Sequence, residues 1–98
     1  MPIIEKNLLQ HELVGLRVMV AESSDPSLRG VKGVVMDESM KMLVIEDGGK
    51  LKKIPKAIST FIFIIPDGKE VKVDGKMLIG RPEERIGKRW KKHAGSKV

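Results

Sequence analysis

The sequence contains no cysteine, no tyrosine and only three aromatic residues, which are Phe61, Phe63 and Trp90. The absence of cysteine excludes disulfide bonds, zinc sites built on thiolates and cysteine nucleophiles. With so few rings, valine, isoleucine, leucine and methionine must fill the interior. Such an aliphatic interior favours a narrow barrel, and a chain of 98 residues favours a single domain.

Long apolar runs are also missing from the chain. The longest extends from Phe61 to Pro66, whereas a transmembrane helix needs about 20 apolar residues. The first residues, from Met1 to Lys6, lack the basic and apolar regions of a secretory signal. We therefore expect a soluble protein without membrane contact. A cytoplasmic location is the simplest expectation, because the chain carries no cysteine to oxidise.

Patterns that carry chemistry are equally scarce. His11 and His93 lie near opposite ends of the chain, which is a poor arrangement for a shared metal. The acidic pairs Asp37-Glu38 and Glu46-Asp47 are typical of solvated residues beside turns, because adjacent strand residues point to opposite faces. No glycine-flanked serine or phosphate-binding loop is present. The sequence predicts no catalytic residue, no metal site and no cofactor held by this chain.

Hydrophobic alternation with a period of two starts after Leu13 and continues to Gly80. Asp-Gly pairs at 47–48, 67–68 and 74–75 interrupt it and are typical of tight turns. The predicted strands are 16–20, 31–38, 40–46, 50–54, 59–65, 69–73 and 77–79, of which the fifth is apolar on both faces and is expected to be the most buried. Residues 13–80 are therefore predicted to form an all-β domain, a small six- to seven-stranded antiparallel barrel of the Sm-like or SH3-like kind.

Short helical extensions are predicted at both ends of this barrel. Residues 1–12 carry a capping residue, Asn7, and a helix this short needs to dock on the barrel or on a partner. Residues 81–98 begin with a break in the strand pattern, and Pro82 suits the first position of a helix. This second extension is predicted to continue as a basic helix to about His93.

Charge is distributed unevenly along the chain. The formal net charge is +6, and residues 81–98 contain seven basic and two acidic residues, a net +5 that leaves +1 for residues 1–80. Such a block favours a polyanionic partner. Its candidate RNA-binding residues, which helical spacing places along one face and beside it, are Arg81, Arg85, Lys88, Arg89 and Lys92. The alternative is a solvated helix that only promotes solubility.

RNA is favoured over duplex DNA as the polyanion. No helix-turn-helix, basic zipper or zinc finger pattern is present to enter a major groove. Basic loops on a small barrel suit the shape and backbone of folded RNA. Trp90 has two interpretations, which are packing with Ile86 against the barrel and stacking on an unpaired base.

Further candidate RNA-binding residues lie within the predicted barrel: Arg29, Lys32, Lys52, Lys53 and Lys56. Arg29 and Lys32 flank Gly30 at a loop–strand junction, where backbone amides and cations can bind a phosphate together. Turn geometry alone is the alternative explanation there. For the lysines at 50–56, the alternative is protection of an exposed strand edge against pairing with another chain.

Seven segments, in the same order along the chain, resemble the archaeal ribonuclease P protein component 1 family, which is related to the eukaryotic Pop4 subunit. They are NLLQHELVGL at 7–16, GVKGVVMDES at 30–39, MLVI at 42–45, IPK at 54–56, FIF at 61–63, VDG at 73–75 and RPEERI at 81–86. Together they extend over most of the chain. The combination of the IPK, FIF and RPEERI segments makes the resemblance fairly specific.

The resemblance implies an Sm-like barrel that assembles with the RNA of ribonuclease P and with a zinc-ribbon protein subunit. Cleavage of precursor tRNA at its 5′ end would then be carried out by the RNA and its magnesium ions, and this chain would meet the precursor only indirectly. The positions matched to RNA contact are Lys32, Lys56, Arg81 and Arg85. Those matched to the protein partner are Leu8, Leu9, His11 and Leu13.

Three alternatives remain open at the level of the sequence. A ribosomal protein of the KOW type would have a similar strand–loop–strand around Gly33. An Sm-like protein would form a stable homo-oligomeric ring, whereas the resemblance predicts a monomer or a heteromer. A stand-alone nuclease would cleave precursor tRNA with magnesium and without any RNA subunit.

Overall fold

The computed structural model describes Leu8 and residues 11–80. Six β-strands and three short 3₁₀ helices account for most of this part of the chain. The strands are β1 (Arg17–Ser23), β2 (Lys32–Glu38), β3 (Met42–Asp47), β4 (Lys50–Pro55), β5 (Ser59–Ile64) and β6 (Glu70–Asp74). The 3₁₀ helices are Pro26–Leu28, Lys56–Ile58 and Gly75–Leu78. None of these described helices has the length and apolar character that a membrane-crossing helix requires.

The six strands form one antiparallel sheet in the order β4-β3-β2-β1-β5-β6. Its register shifts twice, between Val20 and Glu22 on β1 and between Val35 and Asp37 on β2. Irregularities of this kind bend a strand and increase its twist. The curved sheet wraps around one core, so the prediction of a small antiparallel Sm-like barrel is confirmed with six strands.

Among the residues that the structure describes, the core is aliphatic apart from two phenylalanines on β5. Phe61 and Phe63 are fully buried, and their ring centroids lie 5.9 Å apart. Sixteen buried apolar residues form the cluster: Leu8, Leu13, Leu16, Val18, Val20, Val31, Val35, Leu43, Ile45, Ile54, Phe61, Phe63, Ile65, Val71, Val73 and Leu78. The prediction that β5 is the most buried strand is confirmed, although only one of its two apolar faces is fully covered, because Ile62 is half-buried and Ile64 is exposed.

The prediction of a seventh strand at 77–79 is wrong, because the chain forms the Gly75–Leu78 helix there. The side chain of Asp74 accepts a hydrogen bond from the amide of Lys76 at 3.0 Å and turns the chain there. The helix then packs on the one at Lys56–Ile58: a Cβ atom added to Gly75 would lie 1.8 Å from the carbonyl oxygen of Lys56. This contact brings the two edges of the sheet together at one end of the barrel.

The predicted terminal extensions fall mostly outside the described residues. Of the first, the structure describes Leu8, His11 and Glu12, and the carbonyl oxygen of Leu8 accepts a hydrogen bond from the amide of His11 at 3.1 Å. The second, residues 81–98, lies wholly outside.

Candidate RNA interface

Two of the predicted RNA-binding residues flank the turn that leads into β2. Arg29 and Lys32 are both exposed, on either side of Gly30, whose φ of 82° requires the left-handed region. The Nε atom of Arg29 donates to the carbonyl oxygen of Ser23 at 3.3 Å, which orients the guanidinium. The structure therefore keeps both cations at the surface near one another, an arrangement that suits phosphate contact.

The lysines of β4 do not form a single patch. Alternation along the strand places Lys50 and Lys52 on the side of the buried Ile54, and Lys53 on the opposite side with Leu51. Lys50 and Lys53 are exposed. The Nζ atom of Lys52 lies 3.7 Å from Asp47 Oδ2, and both side chains are about 40% exposed. β4 is an edge strand, so both predicted roles of its lysines, RNA contact and edge protection, remain compatible with their positions.

The prediction that Lys56 contacts RNA is corrected by its burial. Its side chain is 0% exposed, and its Nζ atom lies 2.7 Å from Glu38 Oε2. The same ammonium donates to the carbonyl oxygens of Ser39 and Leu78, both at 2.8 Å, and of Gly80 at 3.1 Å. An ammonium has three N–H groups, and these acceptors surround it inside the protein. Lys56 is therefore a structural cation in the folded barrel.

The same contact corrects the interpretation of the acidic pair Asp37-Glu38. Asp37 is exposed and accepts a hydrogen bond from the amide of Glu38, as expected beside a turn. The side chain of Glu38, by contrast, is only 2% exposed. Within Leu8 and residues 11–80, no three side chains of the metal-binding types lie close enough together to hold an ion.

Two of the four positions predicted for a protein partner belong to the barrel's own core. Leu8 and Leu13 are both 0% exposed, so a partner has no access to them in the folded chain. His11 is half-buried, and Leu9 lies outside the described residues. The reason for the error is that the entry segment packs Leu8 and Leu13 inward against the barrel.

A shallow groove on the outer face of the sheet was missed by the sequence reasoning. It has a volume of about 490 Å³, and its apolar lining comes from Met19, Val34, Ile62 and Ile64. Its charged lining residues are Arg17, Lys32, Glu46, Asp47 and Glu70, a formal net charge of −1. The available signal was the alternation of β1, in which Arg17 and Met19 both point away from the core and lie opposite Ile64 and Ile62.

The remaining predicted RNA-binding residues lie outside the described part of the chain: Arg81, Arg85, Lys88, Arg89 and Lys92. Their assignment stays a prediction. What the structure adds is the position of the residue before them, Gly80, which is buried and whose amide donates to the carbonyl oxygen of Met40 at 2.8 Å. The basic block therefore follows directly on a point fixed to the turn between β2 and β3.

Comparisons with known proteins place this arrangement in a family. Residues 6–88 match the family described as Ribonuclease P/MRP, subunit p29. The chain is 49% identical over 86 residues to Ribonuclease P protein component 1 of Methanocaldococcus jannaschii, covering 87% of this chain and 90% of that protein. It is 46% identical over 88 residues to the protein of the same name from Pyrococcus furiosus, covering 90% and 69%.

A solved structure agrees with these sequence matches. It is described as the structure of Mth11, a homologue of human RNase P protein Rpp29, and is similar with a TM-score of 0.58 at 45% identity. The similarity covers 78% of this chain and 99% of that one. With the family match over residues 6–88, this means that the chain belongs to the ribonuclease P/MRP p29 family.

Proposed function

We propose that this chain is an RNA-binding, non-catalytic protein subunit of ribonuclease P, the ribonucleoprotein that matures tRNA 5′ ends by cleaving precursor tRNA. The family match over residues 6–88 is the observation that carries the proposal. The family match supports neither a ribosomal protein of the KOW type nor an Sm-like homo-oligomeric ring. The natural place for such a subunit is the cytoplasm, where precursor tRNA is processed in a cell without a nucleus.

RNA binding is supported by the distribution of charge over chain and fold. Arg29, Lys32 and Lys53 are exposed on the barrel, and residues 81–98 add a net charge of +5 directly after Gly80. Cations that neutralise phosphates release counterions, so the logarithm of the affinity falls with the logarithm of salt by about 0.7–0.9 per contact. We propose that the barrel cations and the C-terminal block bind the phosphate backbone of the ribonuclease P RNA together.

The chemistry of cleavage is assigned to the RNA in this proposal. The sequence shows no motif for a nucleophile–base pair, and Leu8 and residues 11–80 contain no cluster of side chains that could hold a metal ion. Magnesium ions would be held by the RNA, where they would activate the water that attacks the precursor. The contribution of this chain would be to stabilise the active shape of the RNA and to lower the magnesium concentration that it needs.

A zinc-ribbon protein subunit is the proposed protein partner. The groove on the outer sheet face offers it an apolar floor from Met19, Ile62 and Ile64 and a lining with a net charge of −1. Without Lys32, which is proposed for RNA contact, the charged lining has a formal net charge of −2, and a protein surface with apolar and basic side chains complements it. We therefore propose the groove, in place of the buried Leu8 and Leu13, for contact with the partner, and retain the half-buried His11 as a candidate.

The RNA-binding part is tested by equilibrium binding to in-vitro transcribed ribonuclease P RNA over a range of salt concentrations. A variant with Arg81, Arg85, Lys88 and Arg89 each changed to Gln should lower the salt slope by about 3, because four contacts are lost. The matched control changes four exposed lysines that are outside the proposed interface, Lys41, Lys69, Lys72 and Lys76, to Gln. Equal losses in both variants would indicate a general effect of net charge and would contradict the proposed interface.

The subunit role is tested by reconstituting precursor-tRNA cleavage from the RNA and the candidate protein subunits, with and without this chain. We expect the chain to raise the cleavage rate at low magnesium concentration. Cleavage by the protein alone would establish the nuclease alternative instead. An unchanged magnesium requirement and an unchanged KM for precursor tRNA would overturn the proposed role.

A further inference from the structure

The buried cation Lys56 joins three parts of the chain that are distant in sequence. Its Nζ atom contacts the carboxylate of Glu38 at the end of β2, the carbonyl oxygen of Ser39 in the following turn, and the carbonyl oxygens of Leu78 and Gly80. Of these acceptors, the two carbonyls at 78 and 80 lie at the end of the barrel sequence. Lys56 thus connects residues 78–80, which we call the exit of the chain, to the β2–β3 turn.

A requirement for stability alone does not explain a buried ion pair at this position. Removing two charges from water is unfavourable, and well-packed apolar residues of similar volume usually serve stability as well or better. Hydrogen bonds to an ammonium are directional, however, so they specify where each acceptor lies. An apolar side chain at 56 would fill the same space and leave the positions of the Leu78 and Gly80 carbonyls undetermined.

The carbonyls that Lys56 holds belong to the residues that precede the basic block. Gly80 is bound at two points, its carbonyl to Lys56 at 3.1 Å and its amide to the Met40 carbonyl at 2.8 Å. Its φ of 105° also sets the direction in which the chain continues. Arg81, the first cation of the C-terminal block, is therefore the next residue after a fixed point on the barrel.

We propose that Lys56, with Glu38, is a positioning residue for RNA binding, which fixes the exit of the chain at Gly80 so that the cations of residues 81–98 act together with those of the barrel. The inference rests on the proposed function, because it assumes that residues 81–98 bind RNA. A tethered set of cations meets RNA already held by the barrel at a high effective concentration. When Gly80 is no longer held, this effective concentration falls, and with it the affinity of the whole chain.

The test is a double-mutant cycle in the full chain. The first arm is E38Q/K56M, which removes both charges and retains side chains of similar size. The second is the four-residue charge variant at Arg81, Arg85, Lys88 and Arg89. We expect E38Q/K56M to weaken binding to ribonuclease P RNA about 3- to 10-fold when the basic block is intact. In the charge-variant background the same change should weaken it less than about 2-fold.

A matched control separates positioning from general destabilisation. Val73→Ala truncates a fully buried side chain on β6 and lowers stability without removing any of the oxygens that accept hydrogen bonds from Lys56. It is compared with E38Q/K56M at a temperature at which circular dichroism shows both variants to be folded. An equal loss of RNA affinity in Val73→Ala would overturn the inference, as would a loss in E38Q/K56M that is the same in both charge backgrounds.

A second measurement does not depend on RNA and keeps the inference testable if binding is lost for other reasons. The chain has no cysteine, so nitroxide labels can be placed at Glu70→Cys, on β6, and at Ile79→Cys, between the two carbonyls that Lys56 holds. The distribution of distances between the labels should be narrow in the otherwise unchanged chain and clearly broader in E38Q/K56M. A broad distribution in both, or a narrow one in both, would overturn the positioning role.

The two variants of the double-mutant cycle also distinguish failure of this inference from failure of the proposed function. If the charge variant binds RNA as well as the unchanged chain, the assignment of residues 81–98 to RNA is wrong, and the positioning role falls with it. If the charge variant loses affinity and E38Q/K56M does not, the proposed function stands and Lys56 has no part in it.

Discussion

Gly33 provides a sharp test of how the sheet is built. The residue lies on β2 opposite β3, and a Cβ atom added to it would lie 1.9 Å from the carbonyl oxygen of Glu46 and 3.1 Å from Cγ2 of Ile45. An ordinary contact starts at 3.4 Å, so alanine at this position has to move β2 and β3 apart by about 1.5 Å. The obstacle is backbone, which cannot rotate out of the way as a side chain would.

The expected loss of stability follows from the hydrogen bonds between β2 and β3 that this separation breaks. The adjacent pairs Val34–Glu46 and Val35–Ile45 belong to the same ladder, and a net loss of about two hydrogen bonds costs about 2 kcal/mol. Overpacking adds about 1–3 kcal/mol. Replacing glycine restricts the unfolded chain and returns about 0.4–1 kcal/mol. Gly33→Ala should therefore lower the free energy of unfolding by about 2–4.5 kcal/mol, a large part of the total for a domain of this size.

Urea denaturation followed by far-UV circular dichroism measures this loss, and the matched control is Gly48→Ala in the hairpin that follows β3. Gly48 has open space around its Cβ position and a φ of +61°, so alanine there meets backbone strain only and should cost about 1 kcal/mol. In a thermal melt, Gly33→Ala should lower Tm by about 10–30 °C. If Gly33→Ala costs no more than Gly48→Ala, or stabilises the protein, the close approach of β2 and β3 is refuted.

Three further changes test other parts of the structure. Lys52→Gln breaks an exposed ion pair with Asp47 and should change the free energy of unfolding by less than about 0.5 kcal/mol in urea denaturation; a larger loss would show that the pair matters for folding. Phe63→Ala should lower the free energy of unfolding by about 3–5 kcal/mol in the same assay, because the ring is fully buried. Ile64→Ala, at the exposed neighbouring residue, should lower it by less than about 1 kcal/mol. Equal losses would contradict the assignment of faces on β5. Lys32→Gln should lower the salt slope of RNA binding by about 0.7–0.9 with Tm unchanged, and a slope that does not change would remove Lys32 from the interface.

Alternation and turn chemistry were sufficient to predict most of the fold. The Asp47-Gly48 turn and the alternation around it placed β3 and β4 to within two residues at either end. These signals are local, so they are present in the sequence itself. The exposed side of β5 was missed because Ile62 and Ile64 are as apolar as the buried rings beside them. Only the arrangement of the sheet decides which side has a covering layer.

The errors at Lys56 and at the entry leucines have a common cause. Lysine is almost never fully buried, and the acceptors that make its burial possible lie 16 to 24 residues away in sequence. No local pattern records such contacts. Leu8 and Leu13 likewise join a core whose other members come from every strand. The exposed cations Arg29 and Lys32 were placed correctly at the surface because a loop–strand junction is usually solvated.

The burial of Lys56 also makes it an internal reference for chemical footprinting. Amine-reactive reagents modify lysines that water reaches, so Lys32 and Lys53 should react in the free protein and lose reactivity wherever RNA covers them. Lys56, at 0% exposure, should stay unmodified with and without RNA, and its protection is no sign of contact. Its slow modification would instead report how often the Leu78–Gly80 segment lifts from the barrel, so one experiment would yield both the RNA footprint and the opening rate of the chain's exit.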